Sequence, residues 1–285
     1  MPPTPRDAST VLLLRDGRQG LEVFMVKRSS ELGFLGGHHV FPGGAVDPSD
    51  ADPIYERFLL GFDAERVAER FGMKEPGRAR AHVVAALREL FEESGILLAA
   101  PRGAVGSLAP TARYLQEARR RVARGELSFA DFLSRLGVHL AADRLHYFAH
   151  WVTPESGSRR FDTRFFLARM PEGQHAEHDR GETIDGEWVR PADALARYAR
   201  REIELVPPTI CSLDRLRLHE TVGEALEAAR QLDVVEVIPR IVLVDGDVTI
   251  LYPGDEDYTS ESAGPAEAGK MLNRLILRDG LWVRP

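Results

Sequence analysis

Between Arg78 and Ser94 the sequence RARAHVVAALRELFEES sorts its side chains onto two faces that an isolated helix cannot satisfy together. On a wheel of about 100° per residue, Val83, Val84, Leu87, Leu90 and Phe91 fall in one arc, and Glu89, Glu92 and Glu93 fall opposite. The apolar arc requires a packed partner. The carboxylates, crowded into about one turn, repel one another by a few tenths of a kcal/mol per pair. Water on an exposed face absorbs that repulsion, whereas a divalent cation reverses its sign, because Mg²⁺ and Mn²⁺ take oxygen ligands from a few carboxylates together with substrate phosphates. Pro76-Gly77 punctuates the chain before this helix, and Gly95 follows as its terminator.

The surrounding sequence supplies the sheet that such a helix needs. STVLLLRDG and LEVFMVKRS read as two strands, and Asp16-Gly17 predicts a hairpin between them. A glycine-rich stretch follows, with Gly33, Gly36 and Gly37 leading into Val40-Phe41-Pro42-Gly43-Gly44. Helix is expected around Ile54–Phe71, over residues 110–136, from near Pro191, and over residues 207–231. HYFAHWV, RFDTRFFLARM and GEWV read as strands, as do the segments near the end with their Asp-Gly turns; residues 256–269 have linker composition.

Charge and cysteine content remove several functions. The 285 residues carry a formal charge of −7, which argues against nucleic acid as a partner but leaves room for a local basic pocket that binds a small anion. Cys211 is the only cysteine, so no intrachain disulfide forms, and a reducing, cytoplasmic location is expected. No apolar run approaches the roughly 20 residues of a membrane span, so no membrane partner is expected. MPPTPRD lacks the pattern of a secretory signal, and WVRP is not a peroxisomal address.

The run Arg88-Glu89-Leu90-Phe91-Glu92-Glu93-Ser94-Gly95-Ile96 matches the end of the Nudix box at every specified position, and Phe41-Pro42-Gly43-Gly44 resembles its opening. The chain therefore resembles the Nudix hydrolases. In that pattern an acid follows the glycine after five residues, and the arginine follows the acid after seven. Here Asp50 stands at the acid's distance from Gly44, but 37 residues separate Asp50 from Arg88, an interruption of 30. Two alternatives remain: Asp50 fills the acidic position across an insertion, or the acid is absent, since Arg80 stands at the uninterrupted spacing. Arg28-Ser29-Ser30-Glu31-Leu32, Gly37 and the following Phe-Pro-Gly-Gly resemble the Nudix coenzyme A diphosphatases, with departures at Gly33, Leu35, His38 and His39. Arg160–Leu167, Pro207-Pro208 and Leu251–Glu256 extend the likeness to the peroxisomal coenzyme A diphosphatases of the Nudix motif-19 type, which also have an interrupted box.

The resemblance implies an α/β/α sandwich with a mixed sheet, helical insertions and a C-terminal extension. Its boundaries would be residues 1–206 for the Nudix hydrolase domain, with the insertion at 51–77, and 207–285 for an extension packed on the same domain. It implies that Glu89, Glu92 and Glu93 bind Mg²⁺ or Mn²⁺, that one of them or a later glutamate orients the attacking water, and that Arg88 holds the glutamates in place. Glu182, in a loop before a strand, is the candidate later glutamate. Arg28, His38, Gly43 and Gly44 are the candidate substrate contacts, the glycines serving a tight turn. The basic run Arg119-Arg120-Arg121 reads as one solvated helix face. The expected activity is cleavage of the pyrophosphate of coenzyme A or acyl-coenzyme A. The alternatives are an ADP-ribose or other nucleoside-diphosphate pyrophosphatase, and a non-catalytic ligand-binding module. The expected partner is a small pyrophosphate substrate; a homodimer is left open.

Overall fold

Val11-Leu12-Leu13-Leu14 offers no polar side chain to any solvent, and in the computed structural model of the chain all four residues lie at 0 % exposure in the middle of a sheet. The structure describes residues 3–31, 33, 35–101, 111–179, 181–244, 246–258 and 274–285. Because side chains alternate along a strand, Val11 and Leu13 enter one hydrophobic core while Leu12 and Leu14 enter another on the opposite face.

In chain order the strands of the main sheet are β1 (Arg6–Gly17), β2 (Gly20–Arg28), β3 (His39–Val40) and β4 (Gly43–Ala45). A small sheet uses β5 (Leu59–Leu60), β6 (Ala99–Pro101) and β7 (Val138–Ala141), in the order β5-β7-β6. The main sheet resumes with β8 (His146–Val152), β9 (Phe161–Arg169), β10 (Thr183–Val189) and β11 (Glu236–Val237). It runs β10-β2-β1-β9-β8-β11, with β3 on β2 and β4 on β1. The pairs β1–β9 and β8–β11 are parallel and the other pairs antiparallel, so the sheet is mixed. A last sheet is the meander β12 (Arg240–Val244), β13 (Asp247–Leu251), β14 (Arg274–Arg278) and β15 (Leu281–Val283).

The helices are α1 (Ala64–Arg70), α2 (Pro76–Ser94), α3 (Ala112–Ala123), α4 (Phe129–Leu136), α5 (Pro191–Ala199), α6 (Pro207–Leu216) and α7 (Val222–Gln231). Side chains of α1–α4 fill the core with Val11 and Leu13; those of α5–α7, with Ile250 and Leu275 of the meander, fill the core with Leu12 and Leu14. The expected α/β/α sandwich is therefore observed, and the segment after residue 206 shares a core with the sheet.

Several boundaries differ from expectation. The β1–β2 turn is formed by Arg18 and Gln19, with Gly17 opposite Gly20 and φ +116° at Gly20, rather than by Asp16-Gly17. Ile54–Phe71 is not one helix: a 3-10 turn over Pro53–Arg57, β5 and α1 replace it, with Gly61 at φ +65° breaking the run between β5 and α1. Residues 110–136 divide at Gly125 into α3 and α4, whose N-caps are Thr111 and Ser128. Residues 207–231 divide before Thr221, which caps α7. The long helix α2 begins at Pro76, its N1 residue, and ends at Gly95 with φ +74°. Most of the linker-like segment 256–269, like Leu32, lies outside the described residues.

Candidate active site

The helix α2 presents its glutamates to a cavity of about 1150 Å³, not to open solvent. Glu93 is 6 % exposed, and Arg80 and His82 on the same helix are also buried. The solvated face expected from the wheel is covered because α1, α3, β4 and the 3-10 turn over Pro48–Ala51 all pack against α2. Ser9 of β1 donates to the His82 carbonyl at 2.8 Å and so fixes the helix to the sheet.

Two adjacent glycines bring the sheet against the carboxylates. Gly43 donates its N–H to Glu93 Oε2 at 3.0 Å. A Cβ on Gly44 would stand 2.5 Å from Glu89 Oε1, and one on Gly43 would stand 2.5 Å from the Ser9 carbonyl oxygen. Both glycines lie in β4, paired with Thr10 and Ser9 of β1. Their role is close approach rather than the tight turn expected from sequence, since neither has positive φ.

Arg88 is the hub beneath. It donates to Asp50 through Nε at 2.9 Å and Nη2 at 2.8 Å, to Glu89 through Nη1 at 2.8 Å, to Glu92 through Nη1 at 3.2 Å, and to the Ala45 carbonyl at 3.1 Å. Asp50 is fully buried and accepts the Asp47 N–H at 2.8 Å as well. Across the insertion, then, Asp50 takes the position opposite Arg88 that the sequence left between two alternatives. The 30-residue interruption leaves the two halves of the motif in contact.

Burial pushes the Glu89 carboxyl up to about 7, with the Arg88 charge opposing and Glu92 adding to the rise. Glu92 is raised by burial too, and Glu93 well above the usual carboxylate range by burial and by Glu89. Without a cation the cluster is short of positive charge. Arg28 contributes only in part: its Nη1 lies 4.0 Å from Glu93 and its Nη2 lies 3.5 Å from Glu182, while its buried Nε has no acceptor. Among the described residues no three acidic or histidine side chains converge into a closed metal cage. The donor set is nonetheless all oxygen, and burial raises each of its three helix carboxylates, a penalty that a nearby cation offsets. Both features suit a hard divalent ion.

Glu182 is the exposed member: its side chain is 63 % exposed, and it lines the cavity. Asp179 accepts its N–H at 3.0 Å, and its carbonyl accepts the Ser29 N–H at 2.8 Å, so β2 and the loop before β10 hold it opposite α2. Arg28, Gly43 and Gly44 line the cavity as expected. His38 does not; it lies beside Glu204, 3.6 Å away.

Two arginines escaped sequence reasoning. Arg119 is buried, not solvated, and donates to the carbonyls of Glu92 at 2.7 Å and Glu177 at 2.9 Å. It thereby pairs a cation with the C-terminal end of α2. Arg159 lines the cavity. No periodic or motif signal marks either residue.

The description "NUDT19 Nudix domain" matches residues 6–216. The acyl-coenzyme A diphosphatase NUDT19 of Gallus gallus is 31% identical, over 98% of this chain and 88% of its own length. The human protein of that name is 29% identical, over 86% of this chain and 74% of its own length. Among solved structures, the Nudix hydrolase from Alicyclobacillus acidocaldarius superposes with a TM-score of 0.63 at 30% identity, covering 79% of this chain and 96% of that one.

Proposed function

The chain belongs to the Nudix hydrolases of the NUDT19 type and is a pyrophosphatase enzyme; from that premise we propose that it cleaves the pyrophosphate of coenzyme A or acyl-coenzyme A with a divalent metal. The observation that carries this reading is the single cavity onto which Glu89, Glu92, Glu93, Glu182 and Arg28 all open. Named relatives acting on acyl-coenzyme A support the substrate.

Glu89, Glu92 and Glu93 would hold Mg²⁺ or Mn²⁺, which when bound neutralises charge on the bridging phosphates and makes water a better nucleophile. Arg88, anchored by Asp50, fixes the rotamers of Glu89 and Glu92. Gly43 and Gly44 let the sheet backbone, and with it the substrate's diphosphate, approach the carboxylates. Arg28 lies within reach of both Glu93 and Glu182 and binds a phosphate oxygen. Glu182, exposed to the cavity and free of Arg88, takes the proton of the attacking water. The water oxygen bonds to one phosphorus as the P–O–P bridge breaks. The products are adenosine 3′,5′-bisphosphate and (acyl-)4′-phosphopantetheine.

The test compares rates on coenzyme A, dephospho-coenzyme A, ADP-ribose and NADH with Mg²⁺ and with Mn²⁺. Coenzyme A should be cleaved fastest, and loss of the 3′-phosphate, a group of about −1.5 to −2 charge, should slow the reaction. ADP-ribose cleaved far faster than coenzyme A, with the 3′-phosphate irrelevant, would replace this substrate by a general nucleoside diphosphate.

A further inference from the structure

The cavity extends well beyond the carboxylates. Its volume, about 1150 Å³, exceeds the roughly 300–1,000 Å³ of sites that enclose drug-sized ligands. Away from the glutamates its wall is mixed, with arginines such as Arg119, Arg124 and Arg159, and its apolar side chains come from two sources. Trp151 and Phe165 belong to β8 and β9 of the main sheet. Pro207 opens α6, while Ile241, Ile250 and Trp282 belong to the terminal meander. The chemistry of phosphate transfer uses none of these side chains.

Trp151 supplies a second, independent observation. It is 5 % exposed, lines the cavity, and its buried indole N–H has no acceptor. Buried indole N–H groups nearly always find a partner, so one left unpaired at a cavity wall suits a ligand that brings an acceptor. A trough that mixes apolar side chains with polar ones, continuous with a diphosphate site, matches a long chain that is largely hydrocarbon and carries amide carbonyls. The pantetheine arm has two amides and ends in a thiol or an acyl thioester.

Resting on the proposed coenzyme A reading, we propose that the segment from Pro207 onward builds the acyl-pantetheine half of the site, with Trp151 donating to a pantetheine carbonyl and Ile241 and Trp282 flanking the acyl chain. The C-terminal segment is then a specificity element that favours acyl thioesters over the free thiol. Ile241 is 51 % exposed at the rim of the cavity, so it meets the part of the ligand that reaches furthest from the diphosphate.

The experiment measures kcat/KM for coenzyme A and for its acetyl, hexanoyl and octanoyl thioesters, in the full-length chain and in Ile241→Asp and Trp282→Ala. In the wild-type protein kcat/KM rises with acyl length. In each variant the octanoyl-to-free-thiol ratio falls by about five-fold or more, mostly through KM, as expected when apolar contact to a few methylenes is lost. Ile241 is exposed, so its variant keeps the fold, and equal unfolding temperatures verify this. A second readout needs no turnover: with chelator present, octanoyl-coenzyme A changes tryptophan emission in the wild-type protein, and less in Trp282→Ala. If coenzyme A is cleaved but the ratio is flat with chain length or unmoved by both variants, this inference is wrong and the coenzyme A reading stands. If only ADP-ribose-type compounds are cleaved, both fall.

Discussion

Asp50 and Arg88 meet through two hydrogen bonds, of 2.9 and 2.8 Å, with 37 residues of chain between them. Asp50 is fully buried and the Arg88 side chain only 11 % exposed, and Arg88 in turn donates to Glu89 and Glu92. The pair converts a motif broken in sequence into one that is continuous in space.

Asp50→Asn keeps the shape but leaves the Arg88 charge buried without its main partner. Breaking a buried pair in this way costs about 3–5 kcal/mol. Urea unfolding should show that loss, and kcat should fall by more than ten-fold because Glu89 and Glu92 lose their alignment. Asp50→Glu should recover part of both. Wild-type kcat in Asp50→Asn would show that the clamp does not set the site.

Glu93→Gln should lower turnover by several orders of magnitude at saturating Mg²⁺ with the fold intact, since the change is nearly isosteric and the Gly43 N–H still finds a side-chain oxygen. Near wild-type activity would remove Glu93 from the metal set.

Gly44→Ala tests the close approach. The added methyl has no room beside the Glu89 carboxylate, 2.5 Å away. Overpacking of this kind costs about 1–3 kcal/mol. Activity should fall further than stability, because the displaced group is a glutamate of the site. A fully active variant would mean that Glu89 can yield without consequence.

The raised Glu89 carboxyl predicts a pH dependence. Its proton is held more tightly in the folded than in the unfolded chain, so ionising it works against folding. Metal-free stability from this group is present below the ordinary carboxylate range and is lost as pH rises toward about 7. Full ionisation removes on the order of 3 kcal/mol. His39, His82 and His146, lowered by burial, act in the opposite sense. The measured quantity is therefore the difference between wild type and Glu89→Gln in urea unfolding at pH 5 and pH 8. In chelator the variant should gain relative stability at pH 8, and Mg²⁺ should cancel that gain. A difference independent of pH would contradict it.

Much of the site was legible because its residues are local. Glu89, Glu92 and Glu93 share one helix, and helical spacing alone puts them on one face. What sequence could not supply was the environment of that face. The wheel treats the side opposite the apolar arc as wet, yet β4, α3 and the turn that holds Asp50 arrive from elsewhere in the sequence and cover it. Arg119 was misjudged for the same reason: three consecutive arginines look solvated until one of them is seen to reach the Glu92 carbonyl near the end of α2 and the Glu177 carbonyl beyond it. The aliphatic run Val11–Leu14 was readable as a strand, and its two-sided burial confirms the sandwich. The broken helices near Pro53, Gly125 and Thr221 followed from caps and breakers whose weight against a periodic pattern is set by packing.

The insertion has made itself irreplaceable. Tyr55, Phe58 and Phe71 stand in the same core as Leu87 and Phe91; Phe58 meets Tyr55, Tyr55 meets Phe129, and Phe71 meets Tyr147 and Phe166. Excising it to restore an uninterrupted motif would remove three large aromatic side chains from that core, at about 3–5 kcal/mol each, against a typical total stability of about 5–15 kcal/mol. Shortening the chain to the uninterrupted spacing would therefore take away part of the fold's own support, not a surface loop.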